Sequence, residues 1–212
     1  MFQPIDLDSW PRRATFENFL ALGCSYSLTV PLSIGPLLRY VRGNGLRLYP
    51  ALVWAVTTAV NRHREFRMAY DADGRLGYYD LVHPEYTVLE PATYNMDSLN
   101  TPYTPNFPDF YRAMTADLEG FQREGVRTVS RENSILLSCV PWFSYTDVSF
   151  HPKSSMMFLR PMFVWGKYQE QGEEVTLPFT LQVHHGAADG YHCHLLLEEL
   201  RGLLAEPEQN FS

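Results

Sequence analysis

The sequence predicts an α/β chain, specifically an α+β two-layer sandwich in which a mixed β-sheet carries helices mainly on one face. Three observations carry this expectation. Strand and helix patterns are interspersed along the chain without a strict strand–helix–strand alternation. Two long β-rich runs, Met156–Trp165 and Val175–His184, flank the polar segment Gln169–Glu173 and read as a long antiparallel hairpin. The 212 residues, 45% hydrophobic and 19% charged, suit one folded unit with a large core, so residues 1–212 are taken as a single domain.

The elements follow in order. Ser33 is placed to cap a helix running to about Val41, with Pro36 in its first turn and Gly43-Asn44-Gly45 as its stop. Pro50 opens a second helix, Ala51 to Arg62, whose Leu52, Val53, Val56 and Val60 recur at helical spacing and read as core. Phe66–Tyr70 and Leu76–Tyr79 flank Asp71-Ala72-Asp73-Gly74 and predict a hairpin. Tyr86–Leu89 is strand-like. Pro91 to Pro108 holds four prolines and reads as an irregular loop of the kind that often borders a site. Pro108-Asp109 opens a helix to about Arg123, with Phe110, Met114, Leu118 and Phe121 along one stripe. Ser134–Val140 is an apolar strand ended by Pro141, and a last helix follows Asp189-Gly190 to about Leu204.

Charge and composition exclude several functions. The net charge of -7 removes any general attraction to phosphate backbones, so no nucleic-acid partner is expected. A local basic site stays open, and Lys153 and Lys167 are the only lysines. No apolar run has the length of a bilayer span, and the N-terminal residues lack the basic start and apolar stretch of a signal peptide. Cys24, Cys139 and Cys193 are odd in number and fit neither a zinc ribbon nor a disulfide framework. A reducing, cytoplasmic setting is therefore expected.

The densest chemistry lies in Gln182-Val183-His184-His185-Gly186-Ala187-Ala188-Asp189-Gly190-Tyr191-His192. An apolar strand delivers two histidines to its end, and a small-residue turn and a helix follow. Strand alternation sends the two rings to opposite faces, so only one enters a given site. Read from the residues alone, three accounts stand: structural histidines beside a turn, a metal site, or a general base supported by an aspartate. The metal account is weakened because adjacent strand residues diverge and no HExxH pair is present.

The motif His-His-x-x-x-Asp-Gly before a helix resembles the signature of coenzyme A-dependent acyltransferases. The surrounding residues resemble the chloramphenicol acetyltransferase family within that group. Trp10-Pro11-Arg12-Arg13 with Phe16-Glu17, Tyr49-Pro50, Glu65-Phe66-Arg67-Met68-Ala69, Pro141-Trp142, Gly166-Lys167-Tyr168 and the histidine motif occur in that order across essentially the whole chain. The resemblance implies the coenzyme A-dependent acyltransferase fold. It also implies direct acetyl transfer from acetyl-CoA, as acyl-donor co-substrate, to a hydroxyl of chloramphenicol, with antibiotic resistance as the outcome. No metal is implied.

Residue by residue, the resemblance makes His185 the general base. It makes Asp189 a structural aspartate paired with Arg12. Ser138 becomes the donor to the developing oxyanion; from the residues alone it reads as a strand-end serine bonded to its own backbone. Tyr168 is implied to lie against adenine, with Lys167 and Arg47 near the nucleotide phosphates. Phe19 and Tyr26 match acceptor-pocket aromatics. Met96, Gly125, Val148 and Val164 depart from the pocket pattern, Val164 standing where the family has a threonine that holds a water. The family also implies a homotrimer with active sites between subunits. Two alternatives remain: an O-acetyltransferase of the same fold for another hydroxylated small molecule, and a catalytically silent ligand-binding member.

Overall fold

The computed structural model describes residues 1–151, 159–172 and 174–212. Ten strands and six α-helices occur among them. Strand β1 is Phe2–Pro4, helix α1 Arg13–Leu22 and strand β2 Ser25–Ser33. Helices α2 and α3 are Gly35–Gly43 and Leu48–Arg62, followed by a short 3-10 turn, Arg64–Arg67. Strands β3 to β6 are Met68–Tyr70, Leu76–Tyr79, His83–Leu89 and Met96–Asn100. Helix α4 is Phe107–Glu124, strand β7 Ser134–Val140, β8 Met162–Gly166, β9 Gln169–Gln171 and β10 Glu174–His184. Helices α5, Gly190–Ala205, and α6, Pro207–Asn210, close the chain.

The main sheet runs β2-β10-β8-β7-β5-β6, with β9 also pairing with β10. β5·β7 and β7·β8 are parallel and the other pairs antiparallel, so the sheet is mixed. A second sheet, β1-β4-β3, holds the hairpin predicted around Asp71–Gly74. Strand β10 shows how the sequence sets the layers. Leu177, Phe179, Leu181 and Val183 alternate with Thr176, Thr180, Gln182 and His184, and the first set joins the core beneath the helices. α3 fills the centre of that core. Every residue from Pro50 to Val60 is buried, as a helix apolar on all sides requires. α4 buries Phe107, Phe110, Met114, Leu118 and Phe121, the single stripe of an amphipathic helix.

Several expectations are corrected. Ser33 does not cap α2: it ends β2 opposite Thr176, and Ile34 takes the cap position without a side-chain bond. Phe66 lies in the 3-10 turn, so the first hairpin strand begins at Met68. Pro91 to Pro108 is not wholly irregular, because Met96–Asn100 forms β6 along β5. Met-Asp-Ser-Leu-Asn lacks strand propensity, and the ladder to β5 supplies what the local sequence does not. The strand expected from Met156 begins at Met162; residues 156–158, and Glu173 of the following turn, lie outside the described residues.

Gly77 shows how tightly the small sheet packs. A Cβ there would lie 2.3 Å from the Gln3 carbonyl oxygen and 2.5 Å from the Phe2 ring, so β1 would have to move off β4. Gly77→Ala is expected to cost about 1–3 kcal/mol of stability, read as a lower urea midpoint at constant slope. An unchanged midpoint would show that β1 shifts freely.

Candidate active site

His184 and His185 separate as strand alternation predicts. His184 is 2% exposed. Its Nδ1 accepts from the Gly186 N–H at 3.1 Å, and its carbonyl accepts from Ala187 N at 2.9 Å and Ala188 N at 3.1 Å. These bonds wind the turn between β10 and α5. A Cβ on Gly186 would press within 3.0 Å of Phe16 and 3.1 Å of His184 Nδ1, so the turn has little room for a larger residue there. Burial, then the neighbouring His185, pushes the His184 pKa below the ordinary histidine value, which keeps this ring neutral and structural.

His185 remains half-buried at the end of β10. Its backbone N–H donates to the Cys24 carbonyl at 2.9 Å. Phe19 of α1 stacks flat on the imidazole, with ring centroids 3.7 Å apart and planes 5° apart, and Tyr26 of β2 closes a second side at 4.9 Å. Tyr26 is itself held by its hydroxyl, 3.3 Å from the Ala188 carbonyl and 3.4 Å from Cys193 Sγ. Nδ1 of His185 is buried without a hydrogen-bond partner, while the residue as a whole stays half-buried. The two aromatics that the resemblance assigned to the acceptor pocket thus also fix the candidate base.

Asp189 caps α5, accepting from the backbone N–H groups of Tyr191 at 3.1 Å and His192 at 3.4 Å. Arg12, just before α1, reaches across 177 positions to it, Nη1 to Oδ2 at 2.8 Å. Burial alone would raise the Asp189 pKa. The hydrogen bond from Arg12, the His192 ring and the His192 N–H outweigh it and hold the carboxyl below the usual carboxylate range. A depressed folded pKa adds stability above that range, and this stability is lost as pH falls through it. Asp189→Asn is expected to cost about 1–3 kcal/mol at neutral pH and to flatten the acid limb of the stability curve. An acid limb identical to that of the native chain would remove Asp189 from this role.

Ser138 lies on the other end and the other face of the sheet. It sits in β7 beside Val164 of β8, which in turn pairs with Thr180 of β10. Two strand spacings across and five residues along separate Ser138 from His185, roughly 20 Å within one chain. The fold therefore does not bring these two candidates together within a chain. Ser138 Oγ is 3.0 Å from Thr87 Oγ1 of β5. Val164 is 3% exposed, and its carbonyl accepts from the Tyr145 hydroxyl at 2.8 Å. Val148 is half-buried in the loop after β7. Gly125 ends α4 with φ of 67°, so its absent side chain serves a left-handed cap.

Between the ends of β5 and β7 and helices α3 and α4 lies a cleft of about 370 Å³. Tyr49, Leu89, Leu118 and Phe121 give it apolar walls, and Trp142 and Met96 stand on its rim, 61% and 72% exposed. Arg47, before α3, borders it and pairs with Glu119 at 2.8 Å. Lys167 follows β8 beside the end of β7; its N–H donates to the Phe143 carbonyl at 3.0 Å and its side chain is exposed. Tyr168 packs against the core while its hydroxyl accepts from Arg42 at 3.1 Å. Sequence reading named Tyr49 and Trp142 only as matching segments and missed Thr87, Arg42 and the α4 wall, which carry no local motif. Among the described residues, no cluster of three or more His, Cys, Asp or Glu is placed to hold a metal, and no helix is long and apolar enough to cross a membrane.

Comparison with known proteins places this architecture. Among solved structures, a dihydrolipoamide acetyltransferase from Azotobacter vinelandii superposes with a TM-score of 0.67 at 13% identity, covering 99% of this chain and 98% of that one. A chloramphenicol acetyltransferase superposes with a TM-score of 0.86 at 22% identity, covering 96% of this chain and all of that one (100%). The fold is that of the coenzyme A-dependent acyltransferases. The model of the chloramphenicol acetyltransferase family matches residues 1–201. The chain is 37% identical over 211 residues to a chloramphenicol acetyltransferase from Clostridium perfringens, covering 98% of this chain and 96% of that protein. It is 35% identical over 207 residues to one from Campylobacter coli, covering 96% and 98%. The chain belongs to the chloramphenicol acetyltransferase family.

Proposed function

We propose that the protein transfers the acetyl group of acetyl-CoA to a hydroxyl of chloramphenicol, with His185 as general base. The observation that carries this reading is the His185 ring itself, clamped by Phe19 and Tyr26 with Nδ1 buried, in a chain of this family. An imidazole so fixed takes a hydroxyl proton without having to find its orientation in each turnover. Arg12 and Asp189 hold the turn behind it, the Asp189 carboxylate taking the Arg12 guanidinium and the first N–H groups of α5. Acetyl-CoA supplies the activated acyl group. The cleft suits its long arm, with apolar walls and Arg47, itself paired with Glu119, at the edge; outside the cleft lining, Lys167 and Tyr168 just after β8 serve in this reading as the cation for phosphate and the flat partner for adenine.

Ser138 is the donor to the oxygen that becomes negative during attack. Its separation from His185 supports a site assembled from two copies of the chain, the His185 end of one facing the Ser138 face of the next, as in a closed ring of subunits. Phe19, Tyr26, Val148 and Val164 border the acceptor in this arrangement, with Met96 at the cleft rim.

A second acceptor class is favoured by one observation: Val164, beside Ser138, offers no hydroxyl where a polar group would hold a water, which suits another hydroxylated small molecule. The test is CoA thiol release with acetyl-CoA and chloramphenicol, against a blank without acceptor. Release that requires chloramphenicol is expected. Release only with other hydroxylated acceptors would move the chain to the second reading, and ligand binding without any release would make it a silent member.

A further inference from the structure

We propose that Thr87 is a positioning residue for acetyl transfer, turning the Ser138 hydroxyl so that its one proton points at the reacting carbonyl oxygen; this rests on the reading of Ser138 above. A serine hydroxyl has one proton to give and two lone pairs to receive. If Ser138 gives its proton to a neighbour in the sheet, none is left for the oxyanion. The arrangement works only if the neighbour donates and Ser138 accepts.

The geometry points to Thr87 as that neighbour. Its Oγ1 is 3.0 Å from Ser138 Oγ, and among the described residues neither hydroxyl has another recorded side-chain partner. On the opposite side of Ser138 stands Val164, which has no hydroxyl to offer. Thr87 is also held in place. It belongs to β5, which is paired with β6 on one side and β7 on the other, and opposite Ser98 in the β6 ladder. Its carbonyl accepts the Tyr49 hydroxyl at 2.8 Å. A β-branched residue on a doubly paired strand has a stiff χ1, so Oγ1 stays where it is. Donation from Thr87 also polarises the Ser138 O–H and strengthens it as a donor. Thr87 thus gives Ser138 the polar support that Val164 cannot.

The experiment measures kcat and both KM values, with acetyl-CoA and chloramphenicol, for Thr87→Val, Thr87→Ser, Ser138→Ala and the double variant Thr87→Val/Ser138→Ala. Thr87→Val keeps the shape and removes the hydroxyl; kcat is expected to fall about tenfold with both KM values unchanged. Thr87→Ser keeps the hydroxyl and is expected to stay near the native rate. The double variant is expected to be no slower than Ser138→Ala alone, because Thr87 acts only through Ser138. Losses that multiply in the double variant, a native kcat in Thr87→Val, or a change confined to the KM for acetyl-CoA would each overturn the proposal. A native kcat in Ser138→Ala would overturn the reading of Ser138 itself, which is distinct from a slow Ser138→Ala beside an unaffected Thr87→Val.

Discussion

His185→Ala is expected to abolish nearly all acetyl transfer, a loss of at least about 10²–10⁴-fold, while acetyl-CoA still binds. The expectation follows from the division of labour between the two ends of the sheet. The cleft between α3, α4 and the ends of β5 and β7 lies far from the β10 end, so truncating His185 leaves its walls intact. The ring-to-ring contacts of His185 are with Phe19 and Tyr26, and the turn does not depend on them. Its backbone N–H, which bonds to the Cys24 carbonyl, survives the substitution, and the buried turn is held by His184 instead. Turnover measured by thiol release, beside acetyl-CoA affinity measured by calorimetry, separates chemistry from binding. Retained turnover in His185→Ala would mean that another group takes the proton. Loss of affinity with the turnover would mean that the ring belongs to the donor site.

Ser138→Ala is expected to lower kcat by about 10²–10³-fold with little change in either KM. As the proposed oxyanion donor it would meet a charge that exists only near the transition state, so substrate binding would not register its loss. The serine Oγ touches Thr87 and sits on the face away from the main core, so alanine in its place opens no core cavity. A change confined to KM would make Ser138 a substrate contact. The two losses differ in origin, proton removal against charge stabilisation, and their comparison in one assay ranks the contributions.

Much of this was legible in the sequence, and the limits have physical causes. Strand β7 and strand β4 were read at their observed bounds, and α5 to within one residue, because their runs are long or sharply punctuated by Pro141, Gly74 and the Asp189 cap. The separation of His184 and His185 onto opposite faces was plain in strand alternation. The first 32 residues were not read as elements; of these, α1 buries only Phe16 and so carries almost no stripe. Edge strand β6 was hidden by its polar composition. In the site, the Arg12–Asp189 contact spans 177 positions and was reachable only through resemblance. Thr87 escaped notice because an ordinary strand threonine gains meaning only from the serine that the parallel β5–β7 pairing sets beside it. That His185 and Ser138 lie on opposite faces of one sheet follows from the register of β7, β8 and β10, which no local pattern states.

The central proposal is that each working site takes His185 from one chain and Ser138 from another. Co-expressing the His185→Ala and Ser138→Ala chains tests it most directly, because each single variant is expected to be nearly inactive while mixed assemblies would contain interfaces with both native residues. Random mixing in a closed ring is expected to restore about a quarter of the native activity per site. Activity in the mixture no higher than in the two separate variants would contradict a shared site and return both residues to a single chain.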